Sequence, residues 1–214
     1  MATLAATHYA EVYTRALRGD PCHVLGLVPG SWPLPVAEWA REVDRSDLAV
    51  LAHCRGTTLD IGCGPGRMTR ALAELGHHAL GIDVVPEAVA MARLGGGLAI
   101  VRDVFDHLPG EGEWETALLA DGNIGIGGDP RALLDRVARI LAAGGRVVVD
   151  LAPAGAGLHT RSVRLRTPTL QSAPFRWAIV GADAIGSLAV ATGFLVLGLH
   201  RRGARWFAVL EKSR

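Results

Sequence analysis

Between Thr57 and Leu151, short apolar runs alternate with stretches whose apolar residues recur at helical spacing. Thr57–Ile61, His78–Ile82, Leu98–Arg102, Thr116–Ala120 and Arg146–Leu151 read as strands. After the first strand, Met68, Ala71, Leu72 and Leu75 mark one helix face, and Gly76 supplies a left-handed stop. Pro86 suits a first helical turn, with Val89, Met91 and Leu94 behind it and Gly95 as the stop. Asp129-Pro130 opens a further helix whose apolar face is Leu133, Leu134, Val137 and Leu141, closed by Gly144-Gly145. Strands that are continuous apolar runs, separated by helices, predict a parallel sheet covered on both faces. Phe194–His200 and Arg205–Glu211 flank a short turn and predict an antiparallel hairpin. An ordinary six-stranded nucleotide fold has no need of that hairpin.

The flanks are less regular. Residues 1–42 carry Tyr9, Tyr13, Trp32 and Trp39, with the breakers Pro29-Gly30 and Pro33-Leu34-Pro35. They read as a helical cap on a domain spanning 43–214, which opens with a helix from about Asp44 to His53. The stretch Ala178–Leu199 is nearly as long and apolar as a membrane span. Asp183 and Gly181, Gly186, Gly193 and Gly198 interrupt it, so a buried helix (182–192) and a strand (194–200) explain it better.

Composition narrows the function classes. The 214 residues suit one domain, and a net charge of +1 gives no bulk attraction to nucleic acid or membrane. Cys22, Cys54 and Cys63 are too scattered for a disulfide framework, and no Cys/His spacing marks a metal site. A reducing cytoplasm fits this usage. The first twenty residues lack the apolar stretch behind a basic start that a secretory signal needs.

The chemistry is concentrated in Leu59-Asp60-Ile61-Gly62-Cys63-Gly64-Pro65-Gly66-Arg67, a strand running through a glycine-rich turn into a helix. Open α/β sheets bind ligands in that crevice, where a Cβ would keep a ligand off the backbone. Asp83 ends the second strand, where a carboxylate can take both ribose hydroxyls. A dinucleotide loop would place its third glycine at position 67, but Arg67 is there and the third glycine is Gly66. Arg102-Asp103-Val104-Phe105 ends the third strand with an acid able to accept from an adenine amino group and a ring able to cover it.

In these motifs the chain resembles the class I S-adenosylmethionine-dependent methyltransferases, particularly small-molecule members similar to quinone-biosynthesis enzymes. The resemblance covers about Thr57 to Pro153, and the final hairpin matches the family's extra antiparallel strand. It implies a doubly wound α/β fold with a mostly parallel seven-stranded sheet. It also implies S-adenosylmethionine as cofactor and S-adenosylhomocysteine as product. By position, Asp60, Gly62, Cys63, Gly64 and Gly66 would line the methionine part. Asp83 would hold the ribose, with Val84 against the adenine and Asp103 and Val104 at its edge.

The loop Asp121-Gly122-Asn123 lacks the Asn-Pro-Pro-aromatic run of many amino-group methyltransferases. It leaves the fourth strand beside the expected sulfonium, so its residues are candidates for the methionine amino group or the acceptor. Asp121 and His159 are the candidate catalytic groups, His159 as a general base after the fifth strand. Tyr9 and Tyr13 either fold over the cofactor or pack a helix; packing is the slightly better reading. The arginines between Leu151 and Arg176 read as a solvated edge. The predicted activity is methyl transfer to a small molecule, with no nucleic acid, membrane or metal partner. The alternatives are a nicotinamide-dependent oxidoreductase and a protein that binds the cofactor without methylating.

Overall fold

The computed structural model describes residues 6–27 and 29–213. Its N-terminal part runs through strand β1 (Ala6–Thr7), helix α1 (Tyr9–Leu17), strands β2 (His23–Leu25) and β3 (Ser31–Pro33), and helix α2 (Val36–Ala40). Helix α3 (Arg45–Leu51) follows where the sequence predicts it. Asp44 caps it: its Oδ1 accepts from the amides of Ser46 and Asp47 at 2.7 and 2.9 Å. Asp47 answers by accepting the Asp44 amide at 3.0 Å, which completes a capping box.

The alternating part follows. It contains β4 (Thr58–Ile61), α4 (Arg67–Glu74), β5 (Ala79–Asp83), α5 (Pro86–Leu94), β6 (Ala99–Val101) and β7 (Trp114–Leu119). A short 3-10 segment (Asn123–Gly128), α6 (Pro130–Ile140) and β8 (Leu141–Leu151) complete it. Pro86 and Pro130 occupy first helical turns, as their fixed φ favours. The glycine pair at 144–145 does not end α6. The helix stops at Ile140 because Leu141 is already extended, and Gly144, at φ +67°, lies within β8 near a register shift against β7.

After β8 come β9 (Leu158–Arg166), β10 (Gln171–Ser172), β11 (Phe175–Val180), α7 (Ile185–Ala191), β12 (Phe194–Arg202) and β13 (Arg205–Lys212). The main sheet has seven strands in the order β12-β13-β8-β7-β4-β5-β6. Strands β4 to β8 pair in parallel, whereas β13 inserts antiparallel between β8 and β12. The predicted hairpin and doubly wound class are therefore both present. Helices cover both faces. Leu59, Ile61, Leu133, Val137 and Phe194 lie in one core cluster, and Leu51, Met68, Leu72, Leu118 and Phe207 in the other. Each such side chain contributes about 1.5–3 kcal/mol by leaving water. No helix among the described residues is long and apolar enough to cross a membrane.

A second sheet was not expected. Strands β1, β10, β9, β2 and β3 pair in that order, and β11 adds to β9. The segment read as a helical cap thus also supplies strands, a correction with a clear cause. Val24 pairs with Leu165 on β9, and Cys22 and Leu165 share a small core with Val12 and Ala16 of α1. This sheet draws strands from both sides of residue 42, and its β9 and β11 pack on the 3-10 segment that follows β7.

Candidate functional site

The turn from β4 to α4 is held from below. The amides of Gly62 and Cys63 both donate to the carbonyl of Ile82, at 2.8 and 3.0 Å. Its glycines answer to different neighbours. A Cβ on Gly62 would fall 2.7 Å from Asn123 Nδ2, and one on Gly66 would fall 2.5 Å from Ala92 Cβ on α5. Gly66 is thus a packing glycine between two helices. Gly64, at φ +54°, faces open space in which the nearest atom to such a Cβ is Tyr13 Oη at 3.5 Å. Cys63 is buried beneath, and burial pushes its thiol far up.

Asp83, at the tip of β5, accepts the Gly64 amide on Oδ2 at 3.0 Å and the Val85 amide on Oδ1 at 2.9 Å. Burial raises its pKa against the lowering by these bonds. Each oxygen keeps acceptor capacity, since a carboxylate oxygen can take two donors. Beside it Val84 is exposed, as is Phe105 beyond β6. Asp103 is exposed and accepts the Phe105 amide at 3.0 Å, a local turn that fixes its carboxylate.

Two expected residues stand elsewhere. Asp60 does not line open space: it is 1% exposed and accepts the Thr69 hydroxyl at 2.6 Å, behind the turn. Burial pushes its pKa up to about 7, against the bond from Thr69. Val104 turns its side chain into the core, and its carbonyl accepts from Arg136 at 2.8 Å.

Helix α1 lies across the turn. Burial raises both phenols; Asp103 and Asp83 add to this at Tyr9, and Asp83, Cys63 and Asp121 at Tyr13. The carboxylates of Asp83, Asp103 and Asp121 thus act on this pair of phenols, and both tyrosines also pack against the small core of Val12 and Ala16 on adjoining positions of the helix. Tyr9 stacks at 4.8 Å on Phe175, and Tyr13 meets Trp39 edge-on at 6.0 Å. Sequence reasoning weighed this roof but left both residues out of the site. Their one signal was spacing, since residues four apart share a helix face.

After β7 the chain turns sharply. Asp121 adopts φ +52° and Gly122 φ +83°. This lets the Asn123 side chain donate from Nδ2 to the carbonyls of Ile61 and Gly62, at 2.9 Å each. The following segment abuts the second sheet, where Thr160 donates to the Gly128 carbonyl at 2.7 Å and the Trp177 indole stands against Gly125. His159 is half-buried on β9, paired with Ile179. No cluster of three or more metal-ligating side chains occurs among the described residues.

Residues 59–149 match the family described as a methyltransferase domain. A ubiquinone biosynthesis O-methyltransferase of Xylella fastidiosa (strain M23) is 35% identical over 98 residues, 43% of this chain and 40% of that protein. One of Xanthomonas oryzae pv. oryzae (strain PXO99A) is 30% identical over 139 residues, 61% of this chain and 50% of that protein. The chain thus spans half or less of the length of these curated relatives. Among solved structures, a methyltransferase of Bacteroides fragilis in complex with S-adenosylhomocysteine superposes with a TM-score of 0.80. It is 20% identical, covering 99% of this chain and 98% of that one. A 1,6-didemethyltoxoflavin-N1-methyltransferase of Burkholderia thailandensis gives 0.64 at 20% identity, covering 100% and 93%. Residues 59–149 thus match a methyltransferase domain in sequence, and the whole chain shares the fold of solved S-adenosylmethionine-dependent methyltransferases.

Proposed function

We propose that this chain transfers the methyl group of S-adenosylmethionine to a small-molecule acceptor, leaving S-adenosylhomocysteine. The observation that carries the reading is the bare backbone of Gly64 between the Asp83 carboxylate and the Tyr13 hydroxyl. A ligand there meets an acceptor pair suited to vicinal hydroxyls, a backbone without side chain, and a phenol above. Asp83 would take the ribose, Val84 and Phe105 the faces of the adenine, and Asp103 its amino group. Gly62, Gly64, Asp121, Gly122 and Asn123 would hold the methionine end. The names of the relatives refer to ubiquinone biosynthesis and to 1,6-didemethyltoxoflavin, which supports a small acceptor.

When bound, the cofactor supplies a methyl group already attached to a good leaving group. The chain's own task is to orient and to exclude water. Orientation can supply on the order of 7–11 kcal/mol in favourable cases. The aromatic roof of Tyr9, Tyr13 and Phe175 would keep solvent from the reacting atoms. Where the acceptor is a hydroxyl, its proton needs a base; His159 is the first candidate and Asp121 the second, adding roughly 10²–10⁴-fold.

A nicotinamide reading is disfavoured because Gly66 is consumed by packing on Ala92 and Arg67 turns to Asp121 at 2.5 Å. Three free, buried cysteines suit a cytoplasmic enzyme. The test is incubation with methyl-labelled cofactor and fractionated small-molecule extract. A labelled product and stoichiometric S-adenosylhomocysteine are expected. Tight cofactor binding with no product from any fraction would favour a non-methylating role.

A further inference from the structure

Behind the turn at 121–123 lies a buried ionic ring. Asp47 is fully buried and faces Arg41 at 2.6 Å, Arg205 at 2.5 Å, and Arg67. Burial opposes its charge, yet bonds from Arg67, the Asp44 amide, Arg205 and Arg41 hold its carboxyl well below the usual range. Arg67 reaches on to Asp121 Oδ2 at 2.5 Å. On the other side Arg205 grips both oxygens of Asp150, with Nε 2.9 Å from Oδ1 and Nη2 on Oδ2. Asp150 Oδ2 accepts the Asp121 amide at 2.7 Å, which closes the ring. Its members come from α3, α4, the turn after β7, β8 and β13.

Two features give the ring a direction. Asp121 is its most open member, with a side chain 30% exposed against 0% for Asp47, 4% for Arg67, 8% for Asp150 and 16% for Arg205. It is also the one non-glycine residue with positive φ among the described residues. Such a conformation persists where the surroundings over-determine it, and here both its amide and its carboxylate are held. With Arg41 and its other partners counted, the carboxylates of Asp47, Asp121, Asp150, Glu38 and Asp44 face the guanidinium groups of Arg41, Arg67 and Arg205, so negative charge is left over. Arg41, at the rim, is shared with Glu38 and Asp44.

We propose that Asp150 and Arg205 are positioning residues that lock Asp121 in its left-handed turn and present the surplus negative charge to the cationic sulfonium end of the cofactor. The proposal rests on the cofactor reading above. It makes the ring part of the device that distinguishes S-adenosylmethionine from S-adenosylhomocysteine, which lacks the sulfonium charge.

The test is calorimetric titration of the full chain with each of these two ligands. Asp150→Asn is expected to weaken S-adenosylmethionine at least tenfold and S-adenosylhomocysteine by less. Asp121→Gly removes the carboxylate and adopts the left-handed turn unaided. In that background, Asp150→Asn is expected to add less than a twofold change. Arg205→Lys keeps the charge but cannot grip both Asp150 oxygens, and gives the same readout should Asp150→Asn fail to fold. Equal losses for both ligands in both backgrounds, or no loss at all, would overturn the positioning role. Absence of binding by the wild type would instead strike the cofactor reading on which the role rests.

Discussion

The phenolic oxygen of Tyr13 stands 3.5 Å from where a Cβ on Gly64 would lie. An N-terminal helix and the glycine turn thus bound one space, from above and from below. The Asp83 carboxylate borders the same space through its bond to the Gly64 amide. The positive φ of +54° favours glycine at that point, and a Cβ there would stand in the space the two elements bound.

Tyr13→Phe removes the hydroxyl and leaves the ring packed. One net hydrogen bond is worth about 0.5–1.5 kcal/mol, so cofactor affinity should fall roughly two- to tenfold with little change in melting temperature. Calorimetry paired with a thermal melt checks this, and unchanged affinity would remove Tyr13 from the site.

Gly66 and Gly76 both adopt positive φ, +89° and +87°, but only Gly66 faces a neighbour that a Cβ would strike. Gly66→Ala should therefore cost about 2–5 kcal/mol, from backbone strain plus overpacking against Ala92. Gly76→Ala should cost about 1–2 kcal/mol, from the left-handed backbone alone. Urea unfolding measures both, and equal losses would refute the packing role.

Asp60 gives a pH dependence with a definite sign. Its folded pKa, about 7, lies above the ordinary carboxyl value of 3.8, so the folded state holds its proton longer than the unfolded chain. Its contribution is full below about pH 4 and is lost as pH rises through about 7. Asp60→Asn removes that loss while keeping an acceptor for Thr69. Relative to wild type, the variant should gain stability between pH 4 and 8, by on the order of a few kcal/mol. A pH-independent difference would show that Asp60 is charged in the fold.

His159→Ala separates base catalysis from binding. With a hydroxyl acceptor, turnover should fall roughly 10²–10⁴-fold while cofactor affinity stays unchanged. Full activity would leave Asp121 as the remaining candidate.

Legibility followed the range of the interactions. Strand β4 is four buried residues, Thr58-Leu59-Asp60-Ile61, and its pattern needs no partner to be seen. Strand β9 was missed because arginines surround Val163 and Leu165 and read as a charge run, although the alternation buries those two. Its partner β2, and β3 beyond it, have three residues each, too few to show a period. Asp83 and Asp103 were legible because strand ends carry them. The Tyr13–Gly64 approach and the Asp47–Arg205 pair were not, because each joins distant segments only after folding. Asp60 misled because its place in the motif does not reveal which way the side chain points.

Asp83 and the bare Gly64 turn together build the proposed adenosyl site. Calorimetric titration of the wild type and Asp83→Ala with S-adenosylmethionine tests it most directly. One equivalent bound by the wild type, and at least a hundredfold weaker binding by the variant, is the expected result; two charge-assisted bonds at about 1.5–3 kcal/mol each would be lost. No heat of binding from the wild type at millimolar ligand, or equal affinity in the variant, would contradict it.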